Sequence, residues 1–142
     1  MFLPAALRVT GVLAIVSYSF GCPWRSYEQI LTVHLDVLSS MTTKLVETTE
    51  VGGRPGPSDL AELLYPLRRA RQFAYQYRSY SERPSHRAFV ASLDFYEKLL
   101  GEVDAARADD RRWQAFRGKL TGRAEAFLDQ VRRTREALER EK

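Results

Sequence analysis

The sequence predicts an all-α fold, a single up-down-up-down four-helix bundle. After residue 22, four successive stretches place apolar residues at steps of three and four, which is the spacing of one helix face. Glycine, proline, serine and aspartate separate these stretches, and none of them alternates apolar and polar residues as a half-buried strand would. Four helices with one apolar stripe each, joined mostly by short loops, are best buried as antiparallel neighbours around one core.

Length and composition agree with one small globular domain. The chain has 142 residues, of which 44% are hydrophobic and 28% are charged, and its formal net charge is +4. So small a charge does not indicate a nucleic-acid-binding protein, and no reader module is apparent. Because Cys22 is the only cysteine, the domain holds no internal disulfide.

The amino-terminal segment has the pattern of an export signal. Arg8 and the amino terminus are its only positive charges, an apolar run extends from Val9 to Val16, and small residues lead to Gly21. The uninterrupted apolar stretch is shorter than the roughly 20 residues that a membrane-spanning helix needs. We therefore predict a signal peptide over residues 1–21 and a bundle domain over residues 22–142.

The end of this segment, Ser19-Phe20-Gly21-Cys22, resembles a bacterial lipoprotein signal, in which a small residue precedes the lipidated cysteine. The resemblance covers only the leader. It implies fatty acylation of Cys22, including palmitate, and a membrane anchor on the periplasmic side of the cell envelope. Pro23 in place of aspartate favours the outer membrane. Two alternatives remain at this stage: cleavage at the same bond by ordinary signal peptidase, and an uncleaved signal-anchor helix.

The first predicted helix runs from about Trp24 to Glu50. It ends at Val51-Gly-Gly-Arg-Pro-Gly-Pro, where glycine and proline leave no helical continuation. Its apolar face is predicted to consist of Tyr27, Ile30, Leu31, His34, Leu38, Met41 and Leu45.

The second predicted helix starts after Ser58 as the N-cap, with acidic Asp59 in its first turn, and ends near residues 81–84. Pro66 lies inside the pattern, and its ring and missing amide hydrogen predict a kink or a division of the helix at that point.

The third helix is predicted from a Ser85 cap to about Arg107, and the fourth from a cap at Asp109 or Asp110 almost to the carboxyl end. The fourth has the most regular heptad spacing. Its highly charged end, residues 132–142, is expected to project beyond the core.

Metal, haem and catalytic chemistry find no support in the residue pattern. His34 lies in an apolar stripe, but the residue three before it is Leu31, so the Glu-x-x-His pair of di-metal bundles is missing. We expect His34 to be a boundary histidine bonded to an oxygen, and His86 to be exposed. With no Gly-x-Ser-x-Gly elbow and no phosphate loop, we predict no enzyme, no metal and no cofactor.

One basic and aromatic segment stands out in the second helix and the residues after it. Residues 68–87 contain six arginines and one acid, Glu82, interleaved with Phe73, Tyr75, Tyr77 and Tyr80. Arg68, Arg71, Tyr75 and Arg78 are three or four residues apart and share a face, which we call the Arg/Tyr surface. Arginine and tyrosine together suit planar anionic groups and are enriched in interface cores.

Two functions remain open from the sequence. The first is a noncatalytic envelope protein whose Arg/Tyr surface docks a partner protein, an anionic lipid or an acidic glycan. The alternative is a small-ligand-binding bundle, with a pocket near the kinked second helix lined by tyrosines and His34. If the surface has no binding role, it is a solvated basic face balanced by Asp94, Glu97, Glu102 and Asp104.

Overall fold

A computed structural model describes residues 26–142, and this part of the chain is all-α, with four long helices and no strand. The helices are α1 (Tyr27–Glu50), α2 (Pro57–Gln76), α3 (Pro84–Ala106) and α4 (Asp110–Arg140), and a short 3-10 helix, Arg78–Tyr80, follows α2. The predicted all-α four-helix bundle is confirmed. The predicted leader, residues 1–21, and Cys22 lie outside the described residues.

The described chain divides after Ile30. Residues 26–30 begin α1 with reciprocal hydrogen bonds: the Gln29 amide donates to Ser26 Oγ at 3.2 Å, and the Ser26 amide donates to Gln29 Oε1 at 3.0 Å. This capping box satisfies two amides that a helix start would leave unpaired. As described, helix α1 therefore begins at Tyr27, and its predicted start at about Trp24 lies outside the described residues.

Within residues 31–142 each helix runs antiparallel to the neighbours it contacts. Residues early in one helix meet residues late in the next, and α4 returns to α1 in the same sense, which closes an up-down-up-down bundle. Two contacting residue pairs establish this for each pair of helices. They are His34–Phe73 and Lys44–Glu62 for α1 and α2, Leu63–Tyr96 and Phe73–Phe89 for α2 and α3, Ser92–Thr134 and Glu102–Arg123 for α3 and α4, and Asp36–Arg135 and Glu50–Arg117 for α1 and α4.

All four helices contribute to the core of residues 31–142. The side chains with almost no exposed surface include Leu31, Leu35, Leu38, Leu67, Phe89, Leu93, Tyr96, Leu99, Val103, Leu120 and Phe127. Buried hydroxyls are satisfied locally or between helices, as where Ser92 and Thr134 approach to 2.9 Å. Bonding of this kind removes most of the cost of burying polar groups.

Two glycines end α1 in the manner expected from the sequence. The amide of Gly53 donates to the Thr48 carbonyl at 2.9 Å, and that of Gly52 donates to the Thr49 carbonyl at 3.1 Å. This is a Schellman motif, and Gly52 has the positive φ of 88° that the motif needs. A β-carbon on Gly53 would lie 2.7 Å from the Thr48 carbonyl oxygen, so both glycines are required.

Two of the predicted caps are wrong and one is confirmed. Helix α2 is capped by Gly56, not Ser58, because Pro57 occupies the first helical position, which proline favours. In α3 the N-cap position is Arg83, not Ser85, for the same reason at Pro84, and the Arg83 side chain makes no capping hydrogen bond. For α4 the expected Asp109 cap is present, and its carboxylate accepts the Arg112 amide hydrogen at 2.9 Å.

Helix α2 continues through Pro66 from residue 57 to residue 76, so the proline does not divide it. The helix then ends earlier than predicted, and the chain continues into the 3-10 helix. Pro66 has no amide hydrogen for the Glu62 carbonyl. At the adjacent carbonyl, Leu63, the buried Tyr96 hydroxyl of α3 donates a hydrogen bond of 2.8 Å.

The end of α4 packs against the bundle, contrary to the expectation that it projects. Thr134 and Leu138 are buried, and the Glu141 carboxylate accepts hydrogen bonds from Arg83 and Ser85 at the start of α3. Glu141 therefore serves as a long-range cap of α3, in the place where the sequence suggested Ser85.

Candidate binding surface

The Arg/Tyr surface lies along the outer side of α2 and the 3-10 helix. Arg68 and Arg78 are exposed, Tyr75 keeps 68% of its surface accessible, and Arg71 is half-buried. The four residues follow one side of the element, as the spacing predicts, but they differ in their partners. Cys22, the predicted lipidation site, lies outside the described residues.

Arg71 is held by two carboxylates of α3. Its Nη2 lies 2.7 Å from Asp94 Oδ1 and 2.6 Å from Glu97 Oε2. Burial alone would lower the pKa of Arg71, but the hydrogen bonds and charges of Asp94 and Glu97 outweigh it and raise that pKa. The guanidinium thus joins α2 to α3, and its charge is compensated within the bundle.

Tyr75 and Arg78 form a unit at the carboxyl end of α2. The Arg78 guanidinium carbon lies 4.5 Å from the Tyr75 ring centroid, and Arg78 Nη1 donates to the Tyr75 carbonyl at 3.1 Å. Cation–π stacking of this kind orders both side chains at modest energy while the outer ring face and the remaining guanidinium hydrogens stay open to a ligand.

Of the four acids proposed to balance the surface, two do so. Asp94 and Glu97 bind Arg71, whereas Glu102 pairs with Arg123 and Asp104 with Arg107. No ion pair joins Arg68 to a carboxylate within residues 26–142. Among the four residues of the Arg/Tyr surface, Arg71 is thus the one that forms ion pairs within the described part of the chain.

Two residues of this side were missed in the sequence. Tyr65 is 61% exposed, and Arg69 is exposed with no ion pair among the described residues. Both belong to the outer face of α2, and both fall in residues 63–81, which contain four arginines and no acid.

A row of aromatic rings extends from His34 of α1 through the end of α2 to Tyr80 of the 3-10 helix. Phe73 lies 5.1 Å from the His34 ring and 4.8 Å from Tyr77, and Tyr77 lies 5.5 Å from Tyr80, measured between centroids. Arg83 stacks on Tyr80 at 5.0 Å. Tyr77 and Tyr80 are half-buried, in contrast to the exposed Tyr75.

The two histidines differ from expectation. The half-buried His34 ring packs near Phe73 and Phe89, and no hydrogen bond to an oxygen is found for it within residues 26–142. Burial, then the charge of Arg69, lowers the pKa of His34. His86 is buried, not exposed as predicted, and lies in the first turn of α3, which starts two residues earlier than predicted. Burial, then Arg83, lowers the pKa of His86.

The clefts of the bundle are shallow or open. An open groove of about 440 Å³ runs between α2 and α3, with Leu60, Leu64 and Leu100 at its base and Arg68, Glu97 and Arg107 at its rim. A cleft of about 60 Å³ between α1 and α2 is lined by Met41, Leu45 and Leu63. Neither is lined by His34 or by a tyrosine.

Within residues 26–142, no group of three or more histidine, cysteine or acidic side chains is placed to hold a metal ion. In the same residues, no helix is both long enough and apolar enough to cross a membrane.

The chain matches no protein-family model, no curated protein and no solved structure.

Proposed function

We propose that this chain is an exported envelope protein, lipid-anchored at Cys22, whose noncatalytic helical bundle docks an anionic envelope component or partner protein through the Arg/Tyr surface. The anchor follows from the resemblance of the leader to lipoprotein signals. The docking role follows from the chemistry of α2.

One observation carries the docking role: Tyr75 is 68% exposed and is stacked by Arg78, and both lie in residues 63–81, which contain no acid. Arginine with tyrosine is a common composition of binding hot spots. Arg71, with its charge compensated by α3, is assigned a positioning role, and Arg68 and Arg78 are assigned the contacts.

Photocrosslinking in cells tests the proposal. A photoreactive phenylalanine analogue replaces Tyr75 in the full chain, and we expect an adduct with one envelope component. Arg68→Glu with Arg78→Glu should abolish the adduct, because reversed charge repels an anionic partner. The matched control is Arg111→Glu with Arg140→Glu, which changes the net charge equally at exposed arginines of α4.

The same cell preparations test whether Cys22 anchors the protein in the membrane. Mass spectrometry of the amino terminus should find acyl chains on Cys22, and Cys22→Ala should release the protein from the membrane fraction. Adducts that persist unchanged after the reversal at Arg68 and Arg78, or a photoreactive group at Glu125 that gives the same adducts, would contradict docking. A free Cys22 thiol or a retained Met1 would contradict the anchor.

The groove between α2 and α3 favours the alternative, a small-ligand-binding bundle. Its volume of about 440 Å³ and its leucine base with charged rim have the character of a ligand site beside the Pro66 turn, although the groove is open to solvent. In the experiment above, this function would yield no macromolecular adduct at position 75. It would instead yield a small molecule that co-purifies with the protein and is lost when Leu64 or Leu100 is enlarged to tryptophan.

A further inference from the structure

Three arginines on the outer side of α2 and the 3-10 helix lack a carboxylate partner within the described residues. Arg68, Arg69 and Arg78 all belong to the acid-free run 63–81, and Arg71 beside them is already bound by α3. The two acids that flank this run pair elsewhere, Glu62 with Lys44 at 4.0 Å and Glu82 with Arg87 at 3.9 Å. Within residues 26–142, the charges of these three arginines are therefore not neutralised by an ion pair.

Two exposed tyrosines frame these arginines. Tyr65 is 61% and Tyr75 is 68% exposed, and the ten residues from one to the other span about 15 Å along the helix. Tyrosine is the residue type that settles at the boundary between headgroups and acyl chains, and arginine binds phosphate oxygens through paired hydrogen bonds. The combination fits the surface of an anionic bilayer.

The covalent connection to Cys22 brings these residues near a membrane. The carboxyl end of α2 lies beside the first residues of the bundle, since Phe73 contacts His34 at 5.1 Å between ring centroids. Leu31 follows Cys22 by nine residues, a length of chain that spans at most about 30 Å. An anchor at Cys22 thus keeps Tyr75 and Arg78 within reach of the headgroups and gives them a high effective concentration there.

We infer that the anionic component bound by the Arg/Tyr surface is the phospholipid bilayer itself, and that Arg68, Arg69 and Arg78, with Tyr65 and Tyr75, contact phosphate headgroups. This inference rests on the proposed function and names its partner. In this arrangement α2 lies against the membrane. Helix α4, which packs against α1 and α3, lies on the opposite side of the bundle.

Vesicle sedimentation tests the inference without the anchor. The full chain with Cys22→Ala is mixed with vesicles of phosphatidylcholine alone or of phosphatidylcholine with phosphatidylglycerol. We expect stronger sedimentation with phosphatidylglycerol, weakened by added sodium chloride as for any exposed electrostatic contact. Arg68→Glu with Arg78→Glu should lower the partition coefficient at least about tenfold, since each basic residue contributes appreciably at an anionic surface.

The control pair Arg111→Glu and Arg140→Glu should lower the partition coefficient less than the surface pair, and circular dichroism should show that all variants remain helical. Equal sedimentation with both lipids, or equal loss in both pairs, overturns the inference. If a protein adduct at position 75 persists in cells while phosphatidylglycerol has no effect, docking stands and the membrane assignment fails. If both adduct and lipid preference are missing, both fail.

Discussion

Tyr96 joins α3 to the turn of α2 that precedes Pro66. Pro66 has no amide hydrogen for the Glu62 carbonyl, and the neighbouring Leu63 carbonyl is the one that Tyr96 reaches. The Tyr96 hydroxyl, fully buried, donates to the Leu63 carbonyl at 2.8 Å. Burial raises the pKa of Tyr96, which keeps the phenol protonated and able to donate.

Replacement of Tyr96 by phenylalanine should lower the free energy of unfolding by about 1 kcal/mol, because the ring keeps its packing while the Leu63 carbonyl loses a donor. Urea denaturation followed by circular dichroism measures the change. Tyr65→Phe, at an exposed tyrosine of α2, is the control and should be nearly neutral. A Tyr96→Phe variant as stable as the parent would show that the hydroxyl does not support the proline turn.

At the scale of elements, the carboxyl end of α4 caps the start of α3. Glu141 accepts the Ser85 amide at 2.7 Å, the Ser85 hydroxyl at 2.6 Å and Arg83 Nη2 at 2.8 Å. Burial would raise the pKa of Glu141, but the bonds from Ser85 and Arg83 outweigh it and lower that pKa. The carboxylate also faces the positive end of the α3 dipole.

Glu141→Gln should lower the free energy of unfolding by about 1 kcal/mol at neutral pH, as loss of a helix cap does. Because the folded-state pKa of Glu141 is depressed, its contribution is present above the unfolded value and disappears as the pH falls through the folded value. Urea denaturation at neutral and acidic pH measures both effects. Glu139→Gln, in an exposed pair with Lys142, is the control, and an equal loss there would refute the cap.

The predicted elements that proved accurate are those governed by nearby residues. The Asp109 cap, the glycine end of α1 and the apolar stripes depend on partners within one turn, which the sequence displays directly. The errors involve partners far along the chain or competing local signals. Ser85 was expected to cap α3, but Pro84 occupies the first position and Glu141, 56 residues away, supplies the acceptor.

The candidate surface divides in the same way. Spacing alone placed Arg68, Arg71, Tyr75 and Arg78 on one side of α2. Which of these arginines is compensated depends on α3, since Asp94 and Glu97 reach Arg71 and not Arg68. The register between α2 and α3 decides which arginine is compensated, and the spacing of residues within one helix does not reveal that register.

At the scale of the whole molecule, both histidines lie at one end of the bundle. His34 packs near Phe73 and Phe89, and His86 occupies the first turn of α3 beside Arg83. A row of ring contacts runs from His34 through Phe73 and Tyr77 to Tyr80. Protonation of either histidine therefore adds a charge to the region where α1, α2 and α3 meet.

Stability should fall on mild acidification because of these two residues. The pKa of each is lowered by burial first and by a neighbouring arginine second, so the folded state takes up protons less readily than the unfolded state. The contribution of the neutral rings is complete above the ordinary value of 6.5 and is lost as the pH falls from there through the folded-state pKa. Carboxylates titrate mainly below this window.

Urea denaturation from about pH 7.5 to about pH 5.5 should show the decline, and proton NMR should give both histidines a pKa below that of a free imidazole. The variant His34→Gln with His86→Gln should have a flatter profile over the same range, whatever its absolute stability. The single variants apportion the effect between the two sites. A parent profile that is flat, or a decline that the double variant retains in full, would show that neither ring is buried in its neutral form.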